Sequence, residues 1–220
     1  MSKKIVIFGI SEIADMAYFY FNNDTEYQVV AFTIDNDFIK SSNKFELPVI
    51  AFENVEDKYP PEEYDMFVAL SYTKLNQLRK IKYGEAKAKG YYLASYISSN
   101  CVNYAKTIGD NCFILEDNTI QPYVSIGDNV TLWSGNHIGH HSVIDSHNFI
   151  SSHVVVSGGV HVKESCFIGV NATIRDHVII GKESVLGAGA LILQDVEEKG
   201  VYMSSSTERS RVPSSKLRNI

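Results

Sequence analysis

The chain has little cysteine, proline and tryptophan: three, five and one in 220 residues. Cys101, Cys112 and Cys166 are odd in number and contain no Cys-x-x-Cys pair, which argues against a disulfide framework and against a cysteine zinc site. They read as small core residues. No apolar run approaches the ~20 residues that cross a bilayer, and Ile5-Val6-Ile7-Phe8 is too short for a signal-peptide core, so no membrane association and a cytoplasmic location are expected. Basic charge is also scarce. With 26 Asp and Glu against 20 Lys and Arg, the net charge is -6, and no basic surface is expected to track nucleic acid. The late group Arg209, Arg211, Lys216 and Arg218 is the local exception and reads as a solvated tail.

What the sequence does have is a period. From Val102, every sixth residue is aliphatic: Val102, Ile108, Ile114, Ile120, Ile126, Leu132, Ile138, Ile144, Ile150, Val156, Val162, Ile168, Ile174, Ile180, Leu186, Ile192. Six matches neither the 3.6 of a helix nor the 2 of a strand, so the chain must return to an equivalent inward site once per hexad, as on a flat-sided prism. Four residues after most of these aliphatics stands a small or β-branched residue, Cys112, Val124, Val130, Ser142, Val154, Val160, Cys166, Ala172, Val178, Ser184 and Ala190, which supplies a second inward position. Gly109, Gly127, Gly139, Gly169, Gly181 and Gly187 follow an aliphatic directly, where a corner is expected to need unusual backbone angles. Three hexads per turn make a parallel β-helix of about five coils spaced ~4.8 Å apart.

Residues 1–96 are of a different kind. Strands at Ile5–Phe8, Val29–Thr33 and Met66–Leu70 alternate with helices at Glu12–Phe21 and on the Leu75, Leu78 and Ile81 face, which implies a small parallel α/β sheet of Rossmann-like type. Residues 97–220 form the prism and tail. Gly9-Ile10-Ser11-Glu12-Ile13-Ala14 sets backbone N–H groups at a helix start, and Asp35-Asn36 lies at the carboxyl edge where such sheets take ligands. Only one of the three dinucleotide-fingerprint glycines is present, which disfavours NAD.

All seven histidines follow residue 136. His141, His147, His153 and His177 share the fourth hexad position and His140 takes the third. Gly135-Asn136-His137-Ile138-Gly139-His140-His141 is the densest group and suits general-base work. His141 and His177 lie two coils apart on one face, which leaves a metal as the competing reading. The carbonic anhydrases of this fold use two histidines five residues apart, a separation that no pair here has.

The two halves together resemble the bacterial PglD/NeuD-like sugar acyltransferases, and the resemblance covers essentially the whole chain. It implies a left-handed hexapeptide-repeat β-helix and a homotrimer with active sites between neighbouring prisms. It also implies acetyl transfer from acetyl-CoA to a nucleotide-linked 4-amino-4,6-dideoxy sugar for surface glycans, with no metal. The alternatives are O-acetylation of a sugar such as a nonulosonic acid, and a non-catalytic β-helix module.

By the same resemblance the catalytic histidine falls on His140, and the acidic residue that usually follows it is replaced by His141. Acyl-CoA contacts fall on Phe149, on Gly169 and Val170, and on Gly187 and Ala188. Nucleotide-sugar contacts fall on Ser11, Glu12 and Ile13 and on Asp35 and Asn36. Direct attack of the sugar amine with a histidine base is the implied mechanism, and either His140 or His141 can be that base. The family's closing Gly-x-Pro-Ala is replaced by Met203-Ser204-Ser205-Ser206-Thr207.

Overall fold

The computed structural model describes residues 3–216, so Arg218 of the basic tail lies outside the described residues. The N-terminal half comprises β1 (Lys3–Phe8), α1 (Glu12–Asn23), β2 (Tyr27–Ile34), β3 (Asn43–Lys44), β4 (Leu47–Ala51), β5 (Asp65–Val68) and α2 (Gln77–Ala88). The sheet order is β3-β4-β2-β1-β5, with β1, β2, β4 and β5 parallel and β3 antiparallel to β4. β1 is buried on both faces: Ile5 and Ile7 pack with Ala14, Ala17 and Phe21, whereas Val6 and Phe8 pack with Phe52, Val55 and Ala86. A continuous apolar run on a central strand requires this two-sided cover.

α2 departs from expectation. Leu78 and Ile81 are exposed, and the buried face is built from Asn76, Arg79 and Ala86. The reason lies across the domain contact, where the prism presents hydroxyls, carbonyls and carboxylates. Arg79 donates to Thr131 Oγ1 and, at 3.1 Å, to the Asn148 carbonyl; Tyr83 donates to Asp110 at 2.7 Å; Lys80 pairs with Glu164. A helix side meeting polar edges buries polar groups only if each finds a partner.

From Tyr96–Ile97 onward the chain runs through two-residue strands in three parallel sheets of seven, six and five strands. Partners from Thr107–Ile108 to Leu191–Ile192 are 18 residues apart, three hexads per coil, as in Thr131↔Phe149↔Phe167. Every hexad aliphatic from Ile114 to Ile192 is buried, and so is each small residue of the second inward series. Val102 does not fit. Ile120 pairs with Asn103, one residue on, and Val102 is exposed because Ile97 and Ile114 pair across a 17-residue first coil.

The corner glycines also differ from expectation. Gly109, Gly127, Gly139, Gly169, Gly181 and Gly187 are not in the left-handed region; their need is steric, since a Cβ on Gly139 would lie 2.5 Å from the Ser157 carbonyl carbon and 2.6 Å from the Gly158 nitrogen. The left-handed residues fall three places after each aliphatic, at every sixth position from Asn111 to Gly189. His141, His147, His153 and His177 occupy this position, which favours Asn, Asp, His and Gly.

Candidate active site

The prism has three corners, and they sort the histidines. At the first, strand His137–Ile138 ends in Gly139, whose N–H donates to the Val156 carbonyl at 2.7 Å, and the His140 N–H donates to Gln121 Oε1 at 2.9 Å. His141 turns left-handed (φ 59°), which brings its Nδ1 to 3.1 Å from Nδ1 of His140 with the rings at 84°. Tyr123, one coil earlier, lies over His141 at 4.6 Å between centroids. Gly158, one coil later, makes room for His140: a Cβ there would lie 2.6 Å from Cε1 and 2.7 Å from Nε2. Both imidazoles are exposed. Gln121, Tyr123 and Gly158 were not foreseen; addition of 18 to a corner residue's number finds such neighbours once the coil length is known.

The other histidines sit elsewhere. His177 shares this corner two coils beyond His141, with Gly159 between them. His153 stands at a second corner, and His147 is buried in a third beneath α2, bonded through Nδ1 to Asn129 Nδ2 at 2.9 Å. Burial, helped by the Lys80 charge, pushes the His147 pKa down to about 4. His161 meets Asp145 at 2.9 Å on a flat side. Among the described residues, no three His, Cys, Asp or Glu side chains come together as a metal site.

The second corner carries Val170 and Ala188, both exposed, in consecutive coils joined by a Gly189 N–H···Val170 carbonyl bond of 2.7 Å. Gly169 and Gly187 are buried beside them: a Cβ on Gly169 would lie 2.6 Å from the Ala188 nitrogen, and one on Gly187 would lie 2.9 Å from Met203 Sδ. Ser204 Oγ donates to the Ala188 carbonyl and lays the start of the tail over this corner. Phe149 is a correction. It is 3% exposed, packed by Tyr72 at 5.0 Å, Phe167 at 5.8 Å and the Arg79 guanidinium at 5.8 Å, so its side chain belongs to the contact between the halves and not to an open acyl-CoA surface.

In the α/β half, Gly9 (φ 124°) lets the chain turn where a Cβ would meet the Ala69 carbonyl oxygen at 2.6 Å. Ser11 precedes α1 with its hydroxyl unused as a cap, Glu12 is exposed, and Ile13 packs into the core. Asp35 is held by Lys82 at 2.6 Å, and the Asn36 N–H donates to the Glu53 carboxylate at 3.2 Å. Thus the Ser11 and Asp35 segments sit side by side at the carboxyl ends of β1 and β2, whereas His140 stands on the prism. The loop after β5 is a third, unforeseen component. Lys74, Leu75 and Asn76 are consecutively left-handed, and Asn76 ties the turn down by donating to the Cys166 carbonyl at 2.9 Å. Such a run costs energy for non-glycine residues and persists only where its surroundings hold it.

Cys112 and Cys166 are buried in the prism core, a setting that does not suit a nucleophile. Burial pushes the Cys112 thiol up to about 12 and the Cys166 thiol up to about 11, and neither has a histidine hydrogen-bonded to it.

A parallel α/β sheet mounted on a left-handed hexapeptide β-helix is the class that this architecture defines. Residues 106–140 and 159–194 match the bacterial transferase hexapeptide family (six repeats), so the prism carries that family's repeats. Among solved structures, perosamine N-acetyltransferase from Caulobacter crescentus, in complex with CoA and GDP-perosamine, superposes with TM-score 0.78 at 20% identity, over 93% of this chain and 95% of that one. The acetyltransferase domain of PglB from Neisseria gonorrhoeae, in complex with acetyl coenzyme A, gives 0.79 at 21% identity over 93% and 97%. WeeI from Acinetobacter baumannii gives 0.76 at 19% over 90% and 95%. Among curated proteins, mitochondrial gamma carbonic anhydrase 2 of Arabidopsis thaliana is 29% identical over 147 residues, 64% of this chain. The chain spans 45% of that relative's length.

Proposed function

We propose that the protein transfers the acetyl group of acetyl-CoA to the amino group of a nucleotide-linked 4-amino-4,6-dideoxy sugar, in the cytoplasm, for surface-glycan synthesis. The observation that carries this reading is the exposed His140–His141 pair on a prism whose next corner is the small-residue surface of Val170 and Ala188. The architecture is shared with the Caulobacter protein solved with CoA and GDP-perosamine, which supports a nucleotide-linked amino sugar as acceptor. The Ser11–Ile13 and Asp35–Asn36 segments take the nucleotide.

His140 Nε2 accepts a proton from the sugar amine as the amine lone pair adds to the thioester carbonyl. Backbone N–H groups steady the oxyanion. The tetrahedral intermediate collapses with loss of CoA thiolate, which recovers the proton from the imidazolium, so no acyl-enzyme forms. The histidine corner and the Val170–Ala188 corner are separated by a flat side of six residues, up to about 20 Å of extended chain. One prism therefore does not bring them together. The site is completed by a neighbouring copy, and a homotrimer closes the arrangement.

Thiol release from acetyl-CoA with UDP-, dTDP- and GDP-linked 4-amino-4,6-dideoxy sugars, and with sialic acid as a hydroxyl acceptor, tests the reading. Release with one amino sugar and a loss of ~100-fold or more in His140→Ala are expected. Release only with the hydroxyl acceptor replaces N- by O-acetylation, and no release with no CoA binding leaves the prism a scaffold.

A further inference from the structure

Two nitrogens 3.1 Å apart share one proton, and this constrains the chemistry of the corner. A neutral imidazole protonated at Nδ1 is unprotonated at Nε2, and the converse. Whichever ring donates across the contact keeps a basic Nε2; the accepting ring carries its own proton on Nε2 and has no basic nitrogen left. The pair therefore offers a single base, and the direction of the bridge selects it.

The surroundings distinguish the two rings. His141 is held by its left-handed backbone and by Tyr123 over its face. His140, an exposed residue, has no ring stacked on its face, and its Cε1–Nε2 edge fits over Gly158, where a side chain would displace it. We propose, on the basis of the acetyltransferase reading above, that His141 is a positioning residue: it accepts the Nδ1 proton of His140 and so holds His140 Nε2 as the base. When His140 takes up the substrate proton, the same contact becomes a charge-assisted hydrogen bond from an imidazolium to a neutral ring.

A proton held at His140 Nε2 keeps the bridge, whereas an N–H on both Nδ1 atoms would set two donors face to face between rings 5.3 Å apart. The previous coil sets Gln121 and Tyr123 against the pair and the next sets Gly158 and Gly159; His137 precedes it on the strand, and Asp176 and His177, two coils on, are the next titratable groups of the corner. Among the described residues, only His161 has a carboxylate within ion-pair distance of a histidine ring, so no carboxylate takes the place of His141.

The direction is tested with His141→Glu and His141→Ala in the full chain, using acetyl-CoA and the amino-sugar nucleotide that supports turnover. A carboxylate only accepts. If His140 donates, His141→Glu retains kcat within about threefold, and its acid limb moves to higher pH because the new charge favours the imidazolium. His141→Ala then loses about tenfold in kcat, the worth of one hydrogen bond to a group that becomes charged, at unchanged KM for acetyl-CoA. Loss in His141→Glu as deep as in His140→Ala would overturn the assignment and make His141 the base. Nitrogen NMR of the histidine-labelled apoprotein reads the tautomers without turnover. His140 protonated at Nδ1 is expected; His140 protonated at Nε2 refutes the bridge. A correct tautomer with no acetyl transfer to any acceptor would discard the acetyltransferase reading while leaving the pair intact.

Discussion

Gly139 separates two explanations of the same glycine. Had it been required by backbone angle, asparagine, which tolerates the left-handed region, would be the mildest replacement. The structure instead places it where the next coil closes on it: a Cβ would stand 2.5 Å from the Ser157 carbonyl carbon, 2.6 Å from the Gly158 nitrogen and 2.8 Å from the Ser157 oxygen. These are backbone atoms, roughly 1 Å inside the optimum of about 3.5 Å, so the coils themselves must part. Parting them stretches the Gly139 N–H···Val156 bond from 2.7 Å beyond hydrogen-bond range. One lost backbone bond at about 1 kcal/mol and overpacking of about 1–3 kcal/mol give roughly 2–4 kcal/mol for Gly139→Ala. In a protein of this size that lowers Tm by about 5–15 °C, read by scanning calorimetry. Gly139→Asn must be worse than Gly139→Ala, while Asp117→Gly, at a left-handed corner, must be nearly neutral. A Gly139→Asn protein as stable as the wild type would refute the close-approach argument.

His147 is neutral and buried, with its pKa lowered to about 4 from an ordinary 6.5. The unfolded chain then binds more protons in that window, so stability falls as pH drops from about 6.5 to 4, by up to about 3 kcal/mol; His147→Asn should flatten that slope in urea titrations at pH 7 and 4.5. Phe149→Ala opens the contact between the halves and should cost about 3–5 kcal/mol by thermal unfolding while CoA affinity measured by calorimetry is unchanged, the opposite of what an acyl-CoA contact predicts.

The prism was legible because its signal is periodic and local: each inward residue is repeated every six, and Ile114 through Ile192 are buried as the spacing requires. Its frame failed at Val102, where a one-residue shorter first coil shifts the register, a change that no count of sixes registers. The left-handed corners were also written in the sequence, as Asn111, Asp117, Asn129, Asn171, Gly135, Gly159 and Gly189 at one hexad position. The glycines directly after the aliphatics serve close approach of neighbouring coils and not a left-handed turn. The contact between the halves was not legible. It rests on pairs such as Arg79 with Thr131 and Asn76 with Cys166, 52 and 90 residues apart, and on polar partners that invert the apparent apolar face of α2. For the same reason Phe149 could be placed in the fold but not on its correct side. His140 and His141 were found together because one corner holds both, whereas Tyr123 and Gly158 are neighbours only through the coil.

The separation of the corners yields a prediction that needs no knowledge of the sugar. His140 and the Val170–Ala188 surface stand at different corners of the prism, so on the proposed function a working site would draw its base from one copy and its acyl-CoA surface from another. His140→Ala removes the base, and Ala188→Trp fills the second corner, where the present side chain is exposed and small. Each variant alone should be inactive. In trimers formed by unfolding and refolding an equal mixture, a site is intact when its first copy carries Ala188→Trp and its second carries His140→Ala, which random assembly gives at about one interface in four. Thiol release in the mixture should therefore recover to about a quarter of wild type, whereas the same proteins mixed without refolding should remain silent. If both groups served one site within a single chain, every site in the mixture would carry a defect, and activity would not return.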